Sequence, residues 1–245
     1  MNAVAVAAAV TSGAVAGPGV RAAIVTNRLP PDDPERWRCP RCGRPVASEP
    51  LHLDRTVALT GRCSECDGRV GAPLAVTELV GAGLLGLLAL RVHPPLVLAA
   101  LGVAAIAAIA LAAIDWATFR VPDAILAPTL VSVIALFVAA GLVDHREDQL
   151  LQALIGGAAA FTVYTILALA TAGLGFGDCK LAALLGFALA WFGWRTLIAG
   201  LALGFALAAV YLLPRMITGR SSRSTRIAFG PFMLIGAFAI LVVVA

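Results

Sequence analysis

The chain reads as an all-α membrane protein of about eight transmembrane helices with one small cytosolic zinc-ribbon-like insertion, and three observations predict it. Of its 245 residues 60% are hydrophobic and 13% charged, with a mean hydropathy of +0.94; a soluble domain carries about 25% charged and about 45–50% apolar residues. Apolar stretches long enough to cross a bilayer recur from end to end. The one long polar interruption holds two CxxC pairs. The same figures exclude a disordered tail, and five cysteines are too few for a disulfide scaffold of this length. The cationic excess is slight, 18 against 14, and no arginine run suggests a nucleic-acid partner.

Crossing about 30 Å of hydrocarbon takes roughly 17–25 apolar residues. Eight segments qualify, near residues 3–26, 75–91, 95–114, 124–143, 150–173, 180–194, 196–213 and 228–245. The first lacks the basic start of a signal peptide and contains Gly17, Pro18, Gly19 and Arg21, so it is read as a retained span. The sixth and seventh are short and separated mainly by Gly193, Trp194 and Arg195, which leaves a tight hairpin and a single bent element both open. Small residues at four-residue spacing, in Gly156-Gly157-Ala-Ala-Ala160 and at Gly200 and Gly204, let helices approach closely in lipid. That spacing does not separate internal packing from self-association. Trp116, Trp191 and Trp194 fit anchors at the membrane interface.

Threading these spans alternately places 27–74, 115–123, 174–180 and 214–227 on one side and 92–94, 144–149 and the 194–195 turn on the other. The first set holds 14 cations, among them Arg28, Arg36, Arg38, Arg120, Lys180, Arg215, Arg220, Arg223 and Arg226; the second holds Arg91, Arg146 and Arg195. Positive loops stay in the cytosol, so the first set is expected there and both termini outside. The organisation expected is a first transmembrane helix over 1–26, a cytosolic zinc-binding loop over 27–74 and a transmembrane bundle over 75–245.

Within the loop stand Cys39-Pro-Arg-Cys42-Gly and Cys63-Ser-Glu-Cys66-Asp-Gly, with 20 residues between the pairs. Two such knuckles can wrap four thiolates around one tetrahedral Zn²⁺, and a reducing cytosol disfavours the rival reading of two disulfides. Four cysteine ligands leave no open position, so the metal is expected to be structural, holding a loop with little core of its own. His52, between the knuckles, is read as a solvated residue rather than a ligand.

Ionisable groups in a membrane are functional candidates by default. Seven acids fall in the zinc loop, including Asp32, Glu49 and Asp54, and Asp144, Glu147 and Asp148 fall in an outer loop. Four remain at or within spans, all toward the cytosolic face: Glu78, Asp115, Asp123 and Asp178. Asp115 ends the third span and is followed by Pro122-Asp123; Asp178 stands in Gly175-Phe-Gly177-Asp178-Cys-Lys180 just before the sixth. Two carboxylates at one membrane depth suit an aspartyl protease, in which a pair sharing a proton supplies base and acid in turn. Gly175 and Gly177 would let an extended substrate approach Asp178, or would merely form the turn before a capped helix. Lys180 is read either as a cation acting on Asp178 or a substrate carbonyl, or as a cytosolic-edge anchor. Cys179, without a CxxC partner, reads as a small buried thiol. Glu78 is read as a supporting functional residue, as a cation contact near the interface, or as the partner of an arginine of the zinc loop.

In this order, a CxxC…CxxC loop after the first span, Asp115 with Pro122-Asp123, and Gly-x-Gly-Asp-x-Lys at the sixth resemble the prepilin peptidases, integral-membrane aspartyl proteases of type IV pilus and type II secretion systems. Arg28-Leu-Pro30 and Phe229-Gly230-Pro231-Phe232 add to the resemblance, which covers nearly the whole chain. It implies a bacterial inner-membrane enzyme that removes a short basic leader from pilin-like precursors at the cytosolic face, with Asp115 and Asp178 catalytic. Asp123 matches a position where the family has Asp or Asn, and an Asn cannot act as a base. Many members also methylate the new N-terminus with S-adenosylmethionine. Here the first span reads Gly17-Pro-Gly-Val-Arg21 in place of the usual Gly-Ser-Phe-Leu-Asn, and Ala72-Pro73-Leu74 precedes Glu78 where a tighter Tyr-Pro-x-x-Glu is usual, so methylation is the less firmly implied activity. The rival reading from another class is a transporter or assembly scaffold whose carboxylates carry protons or bind a cation.

Overall fold

The computed structural model describes residues 3–29, 33, 35, 38–49, 52–73, 75–171, 174–218 and 227–244. Pro30, Asp32, Arg36, Leu74, Arg220, Arg223 and Arg226 lie outside them, as do the side chains of Glu49 and His52. The described elements run α1 (Ala3–Asn27), β1 (Ala47–Glu49), β2 (His52–Leu53), α2 (Arg55–Thr60), α3 (Val76–Arg91), α4 (Pro95–Thr118), α5 (Asp123–Val143), α6 (Glu147–Ala170), α7 (Phe176–Trp191), α8 (Trp194–Ile217) and α9 (Gly230–Val244). Eight long helices thus stand where eight apolar segments were counted. Five of them, α1, α4, α5, α6 and α8, are long and apolar enough to cross a membrane, while α3 and α7 have 16 residues and α9 has 15.

Prolines and glycines set the boundaries. Pro95 occupies the first turn of α4, where its missing N–H removes no helical bond, and Pro122 precedes α5. Phe119, in the left-handed region at φ 54°, ends α4 and donates its N–H to the Asp115 carbonyl at 2.8 Å. α4 therefore runs one turn past the boundary expected at Asp115, because the hydropathy pattern stops at the first charge while the backbone bonds continue. Likewise α7 begins at Phe176, so Asp178 lies in its first turn rather than ahead of it. Gly193, at φ 121°, makes the sharp turn between α7 and α8 and resolves that region as a hairpin of two helices.

Helices pair as α1 with α3, α4 with α5, α6 with α7 and α8 with α9. In lipid, helix partners are selected by close fit and polar contact rather than by hydrophobicity. The fit here is glycine against glycine. A Cβ at Gly13 of α1 would collide with the Gly81 carbonyl oxygen of α3, and one at Gly186 of α7 would fall 2.9 Å from that of Gly156 in α6. Gly200 and Gly204 meet Gly236 of α9 in the same way, so the small-residue spacings serve internal packing.

The central element is α7, apolar and buried on nearly all its faces. Trp191, expected at the interface, is instead only 4% exposed and stands edge-on to Phe137 with ring centroids 4.9 Å apart. Its position at a helix end resembles that of an anchor, but the end is covered by neighbouring helices. Trp116 and Trp194 are exposed.

The insertion after α1 forms a small unit with its own core of Val46, Val57, Val70, Cys39 and Cys63, to which α1 lends Val25. β1 and β2 pair antiparallel, Ala47 opposite Leu53 and Glu49 opposite His52. Arg21, wholly buried near the end of α1, fastens this unit to the bundle. Its guanidinium donates to the carbonyl oxygens of Ala58 and, at 3.1 Å, Ala72, to the Thr77 hydroxyl at 3.0 Å, and to both Glu78 oxygens at 2.6 and 2.8 Å.

Candidate active site and metal centre

Alternation of the helices brings the end of α4 and the starts of α5, α7 and α9 to the end of the bundle that carries the cysteine unit. Asp115 and Asp178, 4% and 7% exposed, line one cavity of about 340 Å³ there, together with Phe119, Arg120, Val121, Gly175 and Gly177. Each carboxylate is held through one oxygen by a glycine N–H. Gly230, at the start of α9, donates to Asp115 Oδ2 at 3.0 Å, and Gly175 donates to Asp178 Oδ2 at 3.0 Å. The second oxygen of each accepts from no other described residue. Two carboxylates from different helices, fixed at one oxygen and open at the other, can take up and deliver protons across a shared space.

Local sequence explains these placements. Asp178 occupies the third position of α7 and reaches back to the N–H ahead of the helix, half of a reciprocal cap whose other half needs a side chain that Gly175 lacks. The N-terminal end of a helix also favours a carboxylate. Gly177 serves packing as well as access: a Cβ there would lie 2.9 Å from Val121 Cβ, so the α4–α5 turn rests on the first turn of α7. A side chain at Gly230 would crowd the carboxylate, since its Cβ would lie 2.8 Å from Asp115 Oδ2.

Lys180 does not act on Asp178. Two residues along a helix point to nearly opposite sides, and Lys180 Nζ instead contacts both oxygens of Asp123 at 2.8 Å, joining α7 to the start of α5. Asp123 is thereby engaged by Lys180 and is not among the residues that line the cavity. Cys179 is buried, its thiol 3.7 Å from the Gly175 carbonyl. Glu78 faces Arg21 and lies apart from the aspartate cavity. Tyr164, 1% exposed on α6, has a hydroxyl without a partner among the described residues; nothing in its sequence surroundings singles it out.

Cys39, Cys42, Cys63 and Cys66 converge, with all four Sγ atoms within 4.8 Å of one another. The Cys39–Cys66 and Cys42–Cys63 separations are both 3.7 Å, far beyond a disulfide bond. Four sulfurs at about 2.3 Å from a tetrahedral Zn²⁺ stand about 3.8 Å apart, so the donor set and its spacing fit such an ion. Burial pushes the Cys39 thiol up, but N–H groups of Arg41 and Cys42 and the neighbouring thiols bring it down to about 7. At Cys42 the Arg44 N–H lowers the value, while desolvation and the three surrounding thiols outweigh it and hold Cys42 at about 12. A cation bound among the four sulfurs would favour their thiolate forms. Asp54 ties the unit together, accepting from the Thr56 N–H at 2.8 Å and the Ser64 hydroxyl at 2.9 Å, which holds its carboxyl below the ordinary range.

Residues 102–213 match the type IV leader peptidase family. A protein of Pseudomonas putida named prepilin leader peptidase/N-methyltransferase is 34% identical over 210 residues, covering 82% of this chain and 69% of its own. Proteins of the same name from Pseudomonas aeruginosa and Aeromonas salmonicida are 30% and 29% identical, covering 82% and 85% of this chain and 69% and 74% of theirs. No solved structure shows significant similarity to the chain.

Proposed function

Because the chain belongs to the type IV leader peptidase family, we infer that it is a prepilin leader peptidase of the membrane whose catalytic pair is Asp115 and Asp178. The observation that carries the assignment is the pair itself: two buried carboxylates from α4 and α7 facing one cavity, each tethered through a single oxygen. In the reaction one carboxylate, ionised, removes a proton from the attacking water while the other, protonated, donates to the scissile carbonyl oxygen. The acid–base roles then reverse to protonate the leaving amine. Gly230 and Gly175 hold the two carboxylates in register. Asp123, engaged by Lys180, positions α5 against α7 and stands outside the reacting pair.

The substrates are pilin-like precursors anchored in the bilayer, cleaved as an extended segment at the end of the bundle that carries the cysteine unit. The charge distribution supports a cytosolic location for that end, with both termini outside, in the inner membrane. The organisation is a first transmembrane helix over 1–26, a zinc-binding loop over 27–74 and the protease bundle over 75–245. The four cysteines hold a structural Zn²⁺, which supplies cross-linking rather than chemistry. The relatives' names pair the peptidase with an N-methyltransferase, and the same second activity, using S-adenosylmethionine, is proposed here.

Co-expression with pilin precursors tests the assignment, with leader removal and N-terminal methylation read by mass spectrometry for wild type, Asp115→Asn, Asp178→Asn and Asp123→Asn. Cleavage abolished in the first two variants and retained in the third supports the pair. Cleavage surviving Asp115→Asn or Asp178→Asn removes it.

A further inference from the structure

At the end of the bundle opposite the aspartates, another cavity of about 410 Å³, mainly apolar in its lining, opens where the α3–α4, α5–α6 and α7–α8 turns meet. From Pro95 to Asp115 α4 climbs 20 residues, about 30 Å at 1.5 Å per residue, so this cavity and the active site stand a full hydrocarbon thickness apart. The floor is apolar, formed by Val97, Trp191 and Phe192. The walls are cationic, carrying Arg91 from the last turn of α3 and Arg146 from the residue before α6.

Both arginines are exposed, and neither meets an acid among the described residues. Arg91 makes no ion pair or side-chain hydrogen bond among the described residues, and its carbonyl contacts His93 Nδ1 at 3.0 Å. Among the described residues the only side-chain hydrogen bond of Arg146 goes to the neutral Gln149, at 3.4 Å. Acids are close in sequence, yet Glu147 faces His145 at 3.9 Å and neither Asp144 nor Asp148 pairs with either arginine. Pro94 and Arg146, the residues before α4 and α6, provide no side-chain cap, so the positive ends of two helices border the same cavity.

We propose that this cavity is a binding site for a phosphate ester, the headgroup of an anionic phospholipid in the leaflet opposite the active site. Two guanidiniums match phosphate oxygens through paired N–H donors, and an apolar floor beneath a cationic rim fits a molecule whose charged head continues into hydrocarbon. Inorganic phosphate shares the head's chemistry but has no use for the floor.

Purified full-length protein in detergent micelles is incubated with phosphatidylglycerol, phosphatidylcholine or inorganic phosphate, and retained ligand is read by native mass spectrometry. Wild type is expected to retain phosphatidylglycerol at least tenfold more strongly than an Arg91→Gln, Arg146→Gln variant, and Arg195→Gln, an exposed arginine at the same end but outside the cavity, is expected to match wild type. Melting temperatures without lipid check that the variant is folded; if it is not, the single variants carry the comparison. Equal retention by wild type and the folded variants overturns the site, as does an equal loss in Arg195→Gln. Retention of inorganic phosphate without phosphatidylglycerol overturns the lipid source, and equal retention of phosphatidylcholine overturns the preference for net negative charge.

Discussion

Adding one methyl group at Gly230 is expected to impair catalysis while leaving the bundle folded. A Cβ there would stand 2.8 Å from Asp115 Oδ2 and 3.4 Å from its Cγ, while its next contact, Leu181 Cδ2, lies at an ordinary 3.6 Å. Carbon atoms pack at about 3.5–4.0 Å, so the carboxylate must retreat by roughly half an ångström and its hydrogen bond from the Gly230 N–H must lengthen from 3.0 Å. A hydrogen bond to an ionised group contributes about 1.5–3 kcal/mol. With about 1.4 kcal/mol per tenfold in rate, the loss is expected to be about 10–100-fold in kcat. Misplacement of a reacting group by about 1 Å has a comparable effect. The assay is leader removal from a pilin precursor by Gly230→Ala in micelles, alongside Gly83→Ala, whose Cβ would meet nothing within 4 Å. Wild-type kcat in Gly230→Ala, or a loss matched by an equal fall in folded protein, would refute the claim that Gly230 acts through the Asp115 carboxylate.

Two further outcomes follow from the cysteine unit and its attachment. Cys39→Ser or Cys63→Ser removes one of four ligands, so metal content measured on the purified protein should fall from about one Zn²⁺ per chain toward zero, and wild type free of stoichiometric metal would contradict the four-thiolate site. Glu78→Ala leaves the buried Arg21 guanidinium without its counter-charge and is expected to destabilise the α1–α3–cysteine unit by about 3–5 kcal/mol, read as a lower melting temperature. The pair Arg21→Met with Glu78→Leu should recover most of that loss; a double variant no better than the single one would mean that the contacts to Ala58 and Ala72 dominate.

Some of this molecule is legible residue by residue. Cys39, Cys42, Cys63 and Cys66 announce a cluster because CxxC spacing places two thiols at one turn whatever the rest of the chain does. Asp115 and Asp178 stand out because acids in apolar surroundings are rare. Lys180 misleads for the opposite reason: its closeness in sequence to Asp178 suggests contact, but helical rotation carries it to Asp123, 57 residues away. Trp191 misleads because its surroundings, not its position at a helix end, decide its exposure. Gly13 and Gly81 carry no signal beyond their smallness until the two helices are seen to cross.

Hydropathy and ligand spacing are local properties of the chain, so the number and order of the apolar segments, the four-cysteine loop and the acids worth suspecting are determined by the sequence alone. Which helices touch is a different matter. Every helix exchanges lipid for protein of similar polarity, so partners are chosen by shape and by the few polar groups that find one another. Only the tertiary structure therefore decides that Gly230 reaches Asp115 across 115 residues, that Arg21 closes on Glu78, and that Arg91 and Arg146 are left facing an unshared cavity.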